Sequence, residues 1–288
     1  MRLPNFWRSP LDPERVMQVE VAHWQGNEQQ IREDNLTVEE PFEVRIGGRS
    51  LAVIMRTPGN DYELALGFLL TEGVIRQADD VIQIEDARDI DGLPLENVVN
   101  VVLRHQGESA SGSSHLVAFE RHFAVSASCG LCGKNSIADL MQATTPLEPD
   151  ELRFSPAIFY NLATELRMKQ AVFTHTGGLH AAGLFTRQGE LLLLREDVGR
   201  HNAVDKLIGH GLLHQTYPYR DSILMVSGRT SFEIIQKALL ARVPCVAAIS
   251  APSSLAVDLA DKSGITLIGF LRGNAMNVYT HPERIMAS

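Results

Sequence analysis

Apolar positions along this chain change spacing from segment to segment, and the changes predict its elements. Val16 to Trp24 alternates apolar and polar residues, as a half-buried strand does. Phe42-Glu43-Val44-Arg45-Ile46 and Leu51-Ala52-Val53-Ile54-Met55, separated by a turn at Gly47-Gly48, predict a hairpin. From Tyr62 to Leu70 the apolar residues recur at helical spacing, with Asn60 or Asp61 placed to cap the helix and Gly73 to stop it. Val81 to Glu85 and Asn97 to Arg104 read as further strands, so the first part of the chain is a compact α+β module. The polar stretch Gly107 to Ser114 closes it, and the expected division is residues 1–118 and 119–288.

The second part alternates strands with helices. His122 to Ala127 predicts a strand and Asn135 to Met141 a helix. Ile158 to Lys169 predicts another helix, and Ala171 to Thr174 enters a strand. Ala181 to Thr186 and Glu190 to Arg195 flank the turn Arg187-Gln188-Gly189 as a hairpin. Ile223 to Val226, Val243 to Ile249 and Ile265 to Phe270 read as buried strands. Helices follow the first two, Ile234 to Ala241 behind the capping box Thr230-Ser231-Phe232-Glu233, and Ser253 to Lys262 closed by Gly264. This pattern makes a mixed sheet covered by helices on both faces, an α/β core in a chain that is α+β overall.

Composition narrows the function. The chain has 288 residues, 44% hydrophobic and 21% charged, which is ordinary for a globular protein. No apolar h-region opens it and no run is long enough to span a bilayer, so neither secretion nor a membrane is expected. A net charge of −9 argues against nucleic acid and anionic membranes as partners. Three cysteines argue against a disulfide scaffold and for a reducing, cytoplasmic compartment.

Two of those cysteines carry the candidate chemistry. Cys129-Gly130-Leu131-Cys132-Gly133-Lys134 falls where a strand gives way to a helix. Unsatisfied N–H groups and the positive end of the helix dipole, with Lys134 beside them, favour a thiolate there. Three readings stay open on the motif alone: a zinc knuckle, a dithiol redox pair, and a thiolate that accepts and passes on a sulfur atom.

Positive charge and glycine gather elsewhere. Ser227-Gly228-Arg229 lies between a strand and a helix start, which suits an anion, although no Walker loop or Gly-x-Gly-x-x-Gly is present. Ligands of open α/β sheets collect at the carboxyl ends of strands, so that loop, Ser250-Ala251-Pro252 and Phe270 to Asn274 are expected on one rim. Arg195 to Arg200 can join them. Arg229 and Arg272 are suited to phosphate. Thr176-Gly177-Gly178-Leu179-His180 reads either as a turn with an internal histidine or as a ligand contact. Glu196 to Lys206 reads either as a solvated helix start capped by Asp197 or as a polar cluster with Arg200 and His201 facing an anion.

These segments together resemble the formate dehydrogenase accessory sulfurtransferases of the FdhD family. The resemblance rests on Cys129-Gly-Leu-Cys132-Gly, Thr176-Gly-Gly-Leu-His180, Arg195-Glu-Asp-Val-Gly-Arg-His-Asn-Ala-Val-Asp-Lys206, Ser227-Gly-Arg-Thr-Ser-Phe-Glu233, Gly264 to Phe270 and Asn277-Val-Tyr279. It implies a cytidine-deaminase-like three-layer core behind a smaller N-terminal domain, and a homodimer. It implies a sulfurtransferase acting through a persulfide on Cys129, with Cys132 assisting. A cysteine desulfurase would be the donor, and the molybdenum or tungsten bis-molybdopterin guanine dinucleotide cofactor of formate dehydrogenase the acceptor.

The same resemblance places that cofactor, with GDP as its analogue, on Phe270, Leu271, Arg272, Gly273, Asn274 and Ala275. Gly228, Arg229, His180 and Arg200 are the further expected contacts, with no resident metal. The alternative is a cofactor-binding chaperone whose cysteines are structural, with or without zinc. Deaminase chemistry itself is not expected: Ser128 stands where that family has proline before the first cysteine, and Ala182 where its catalytic glutamate would follow His180.

Overall fold

The computed structural model describes residues 14–104 and 145–286. Cys129, Cys132 and the expected domain division near residue 118 lie outside the described residues, as do the strand and helix expected around the cysteines.

A two-stranded antiparallel ribbon opens the chain, β1 (Val16–Gln25) against β2 (Glu28–Thr37). β2 carries few β-formers and escapes the sequence pattern; its full register with β1 holds it extended. β3 (Glu40–Ile46) and β4 (Arg49–Arg56) form the expected hairpin, with Gly47 and Gly48 both at positive φ in the turn. With β5 (Val81–Arg88) and β6 (Pro94–Leu103) they make a four-stranded sheet in the order β4-β3-β6-β5.

Helix α1 (Asp61–Thr71) lies between these pieces, and Asn60 precedes it in a left-handed conformation without a side-chain cap. Its leucines 64, 66, 69 and 70 are buried, each contributing about 2 kcal/mol. Behind β4, the fully buried Arg56 is held by Asp61 at 2.9 and 3.0 Å, by Asn97 at 2.8 Å and by Glu40 at 3.3 Å.

The remainder is built on a six-stranded sheet, β12-β11-β10-β9-β7-β8. β7 (His180–Thr186) and β8 (Leu191–Asp197) form the predicted hairpin; β9 (Ser222–Val226), β10 (Cys245–Ala248) and β11 (Thr266–Arg272) run parallel to one another. The short β12 (Ala275–Val278), not expected from the sequence, turns back antiparallel to β11. Because β7 is antiparallel to both β8 and β9, the carboxyl ends of β8, β9, β10 and β11 and the start of β7 share one rim.

Helices α4 (Arg200–Leu213), α5 (Phe232–Leu240) and α6 (Ser254–Ser263) cover one face, and α2 (Pro156–Lys169) covers the other. Alternation along β10 divides the two cores: Val246 and Ala248 face α4 to α6, while Cys245 and Ala247 face α2. The mixed α+β class and the three layers therefore agree with the sequence pattern. The first core runs on without a break into α1 and the four-stranded sheet.

Ala171 to Thr174 is not a strand but part of helix α3 (Ala171–Thr176). The Glu196 carboxylate accepts from the N–H groups of Val172 and Phe173 at 3.1 and 3.0 Å, so an anion at the helix start overrides their β propensity. Among the described residues, no helix is long and apolar enough to cross a membrane.

Candidate functional site

The rim loops are laced together by backbone bonds. Ser227 N donates to Ala181 O at 3.0 Å and its hydroxyl accepts from Ala181 N at 2.9 Å, which ties the loop after β9 to the start of β7. Thr230 N donates to Ala251 O at 3.3 Å, and Phe270 N to Ser250 O at 3.2 Å. The three loops expected on one rim are thus joined side by side.

Gly228 sits where His180 and Arg200 meet. A Cβ built there would lie 3.2 Å from His180 Nδ1, a tight approach, and 3.7 Å from Arg200 Cδ, an ordinary contact, so a larger residue would press on the His180 ring. Burial pulls His180 below its ordinary value, and the neighbouring Arg200 and Arg229 pull in the same direction against Asp197. His180, Gly228, Arg200 and the exposed Arg229 therefore form one cationic corner.

The second group lies along the rim, where Phe270 to Ala275 closes β11 onto β12 as an exposed turn. The register shifts between Gly269 and Arg272, Phe270 takes the left-handed φ of 52°, and its ring is 40% exposed. Such a conformation is strained for an aromatic residue. Arg272, Gly273, Asn274 and Ala275 are exposed, whereas Leu271 packs its side chain into the core beneath α2 and offers the rim only its backbone. By strand spacing, β11 lies roughly 10 Å from β9 across the rim.

Several expectations change. Arg195 does not join the rim; its guanidinium turns to Glu63 of α1, with Nη2 donating at 2.7 Å. Glu63, His210 and His214 bring ligand atoms within 4.8 Å of one another, the spacing of a metal site. Arg195 already fills the cation position, since Nη2 also lies 3.0 Å from His210 Nδ1.

Asp197 is no solvated cap: it is fully buried and paired with the equally buried Lys206 at 2.8 Å, and the N-cap of α4 is Gly199. The box expected at Thr230 to Glu233 does not form, because Ser231 is the N-cap and its hydroxyl lies 3.3 Å from His201 Nε2 rather than closing the helix. Asp205 is internal, gripped by Lys237 through both oxygens at 2.8 Å and by Thr71 at 2.9 Å. Lys237 and Thr57 escaped the sequence reading, and Lys206 was named there without its buried partner. A lysine amid the apolar positions of each helix was the available signal.

His201, which also faces the Arg200 charge, is a second histidine held towards its neutral form. Burial first, then Lys237 and Arg200, bring its pKa to about 4 against an ordinary value of 6.5. Because the folded ring resists protonation and the unfolded ring does not, stability tied to His201 is complete above about pH 6.5 and falls as pH drops towards 4. The melting-temperature advantage of the wild type over His201→Gln is expected to shrink between pH 7 and pH 4.5. A gap independent of pH would contradict the assignment.

The FdhD/NarQ family model matches residues 37–286. The sulfur carrier protein FdhD of Streptomyces avermitilis is 49% identical over 260 residues, covering 88% of this chain and 90% of that protein. Its namesake in Sulfurisphaera tokodaii is 43% identical over 277 residues, covering 94% and 100%. A crystal structure described as a formate dehydrogenase accessory protein from Desulfotalea psychrophila shares the fold, with a TM-score of 0.72 at 23% identity over 94% of this chain and 100% of that one. The family match spans both sheets, the cysteine pair and the whole rim, and the chain belongs to the FdhD/NarQ family.

Proposed function

We propose that the chain is a sulfur carrier for formate dehydrogenase maturation, taking sulfane sulfur from a cysteine desulfurase and delivering it to the molybdenum or tungsten bis-molybdopterin guanine dinucleotide cofactor. Relatives 43% to 49% identical over most of the chain carry the name sulfur carrier. Loading is a redox-neutral exchange. The Cys129 thiolate attacks the outer sulfur of the donor persulfide, a new S–S bond forms, and the old one breaks with its electron pair leaving on the donor cysteine. A reducing compartment keeps the thiol free to ionise, and Cys132, three residues on in the sequence, assists.

The rim is the proposed seat of the cofactor. The observation that carries this reading is how closely Gly228 lies to both His180 and Arg200: a Cβ at residue 228 would lie 3.2 Å from His180 Nδ1 and 3.7 Å from Arg200 Cδ, so the loop after β9 meets the start of β7 and of α4 at one corner, where Arg200 can supply a guanidinium to an anion. Arg229 adds charge at that corner. The turn from Phe270 to Ala275, about two strand spacings along the rim, would take the other end of a guanine nucleotide.

Arg229→Ala and Arg272→Ala are each expected to weaken GDP binding by about tenfold or more, with persulfide loading unchanged. Calorimetric titration with GDP checks this. Wild-type affinity in both variants would remove the nucleotide from the rim.

A further inference from the structure

The turn that delivers Arg200 to the rim is tied from beneath by one carboxylate. Asp197 ends β8 and is fully buried. Its Oδ1 accepts from Gly199 N at 2.8 Å and Asn202 Nδ2 at 2.9 Å; its Oδ2 accepts from Thr57 N at 3.2 Å and Lys206 Nζ at 2.8 Å. Thr57 answers with two acceptors of its own, its carbonyl for Lys206 Nζ at 2.8 Å and its hydroxyl for Val198 N at 3.2 Å. Asn202 Nδ2 also reaches Met55 O at 2.8 Å. The end of β4 and the start of α4 are thus locked together through residue 197.

A buried ion pair is a poor source of stability, because desolvation of two charges consumes most of what their attraction supplies. What this one supplies is geometry. Four donors from the turn, the helix and the distant Thr57 converge on two oxygens, which leaves the segment 197–200 one arrangement. Gly199 belongs to the device: a Cβ there would lie 2.8 Å from Asn202 Nδ2 and push the amide out of its place under the turn. Arg200 follows at once, with its Cδ against Gly228.

We infer that Asp197 is a positioning residue of the rim: by holding the 197–200 turn against Thr57 it fixes the place of Arg200, and with it the affinity of the rim for the diphosphate of a guanine nucleotide. The inference rests on the rim reading above.

GDP titration by calorimetry, thermal unfolding and persulfide loading of Asp197→Asn with Lys206→Met test it, beside Arg229→Ala as a reporter of the rim alone. Removing both charges together leaves no lone ammonium in the core. The double variant is expected to unfold near the wild-type temperature and to load sulfur normally, while binding GDP at least about tenfold more weakly. Should the double variant not fold, Asn202→Ala removes one donor and leaves the ion pair intact, with an expected loss of about threefold. Wild-type GDP affinity in the folded Asp197 or Asn202 variant, with Arg229→Ala weakened, overturns the inference. Wild-type affinity in Arg229→Ala as well shows that the rim reading has failed first, and the inference falls with it.

Discussion

Replacement of Cys129 by alanine is expected to abolish persulfide loading and to reduce the formate dehydrogenase activity of the host cell to background. The argument is chemical. Only a thiolate attacks a persulfide, and of the three cysteines only the pair at residues 129 and 132 has the motif that lowers a thiol's pKa. Cys245 offers no substitute: it is fully buried in β10 on the α2 face, and burial pushes its thiol up, away from ionisation. Cys132→Ala is expected to keep loading at Cys129 while slowing delivery. Formate-dependent reduction of a dye in cells that make each variant distinguishes these outcomes, and a Cys129→Ala strain with undiminished activity would remove that residue as the carrier.

The largest effect on folding is expected at the crossing of α1 and α4, where the two helices meet backbone to backbone. A Cβ at Gly209 would fall inside the Glu63 carbonyl, and one at Gly67 inside that of Asp205, so neither helix can carry a side chain at the contact. Gly209→Val forces the helices apart. That opens the core shared by Leu64, Leu66, Val204 and Ile208 and stretches the His210–Glu63 and Thr71–Asp205 links that cross the same seam. The expected cost is about 3 kcal/mol or more, enough to leave much of the protein unfolded or insoluble. Urea unfolding monitored by circular dichroism checks it, and a midpoint unchanged from wild type would mean that the helices do not cross this closely.

How far the sequence could be read varies with the source of each element's stability. The β3–β4 hairpin and α1 were visible because their own residues specify them: paired glycines in one, periodic leucines in the other. β2 was invisible, since its charged residues adopt a strand only by pairing with β1. Val172 and Phe173 suggested a strand on propensity, and a carboxylate from β8 made them helical. The rim was legible as loops that follow strands, which is a topological rule rather than a local one.

The polar run Glu196 to Lys206 stands out in the sequence, but nothing local distinguishes a solvated helix start from a buried knot. The distinction is made by Thr57, far off in the sequence, whose N–H and carbonyl meet Asp197 and Lys206. Lys237 and Asp205 follow the same logic, meeting from different helices. A motif such as the one at Cys129 and Cys132 announces candidate chemistry in the sequence, whereas an arrangement that tertiary structure assembles, such as Asp197 with Lys206 and Thr57, stays hidden there.

The central claim is that Cys129 carries sulfur, and the intact mass of the protein after incubation with a cysteine desulfurase and cysteine tests it most directly. The account predicts a gain of one sulfur atom that a reducing agent removes and that Cys129→Ala lacks. No gain, in protein that copurifies with stoichiometric zinc lost on Cys132→Ala, would contradict it and make the pair a structural knuckle.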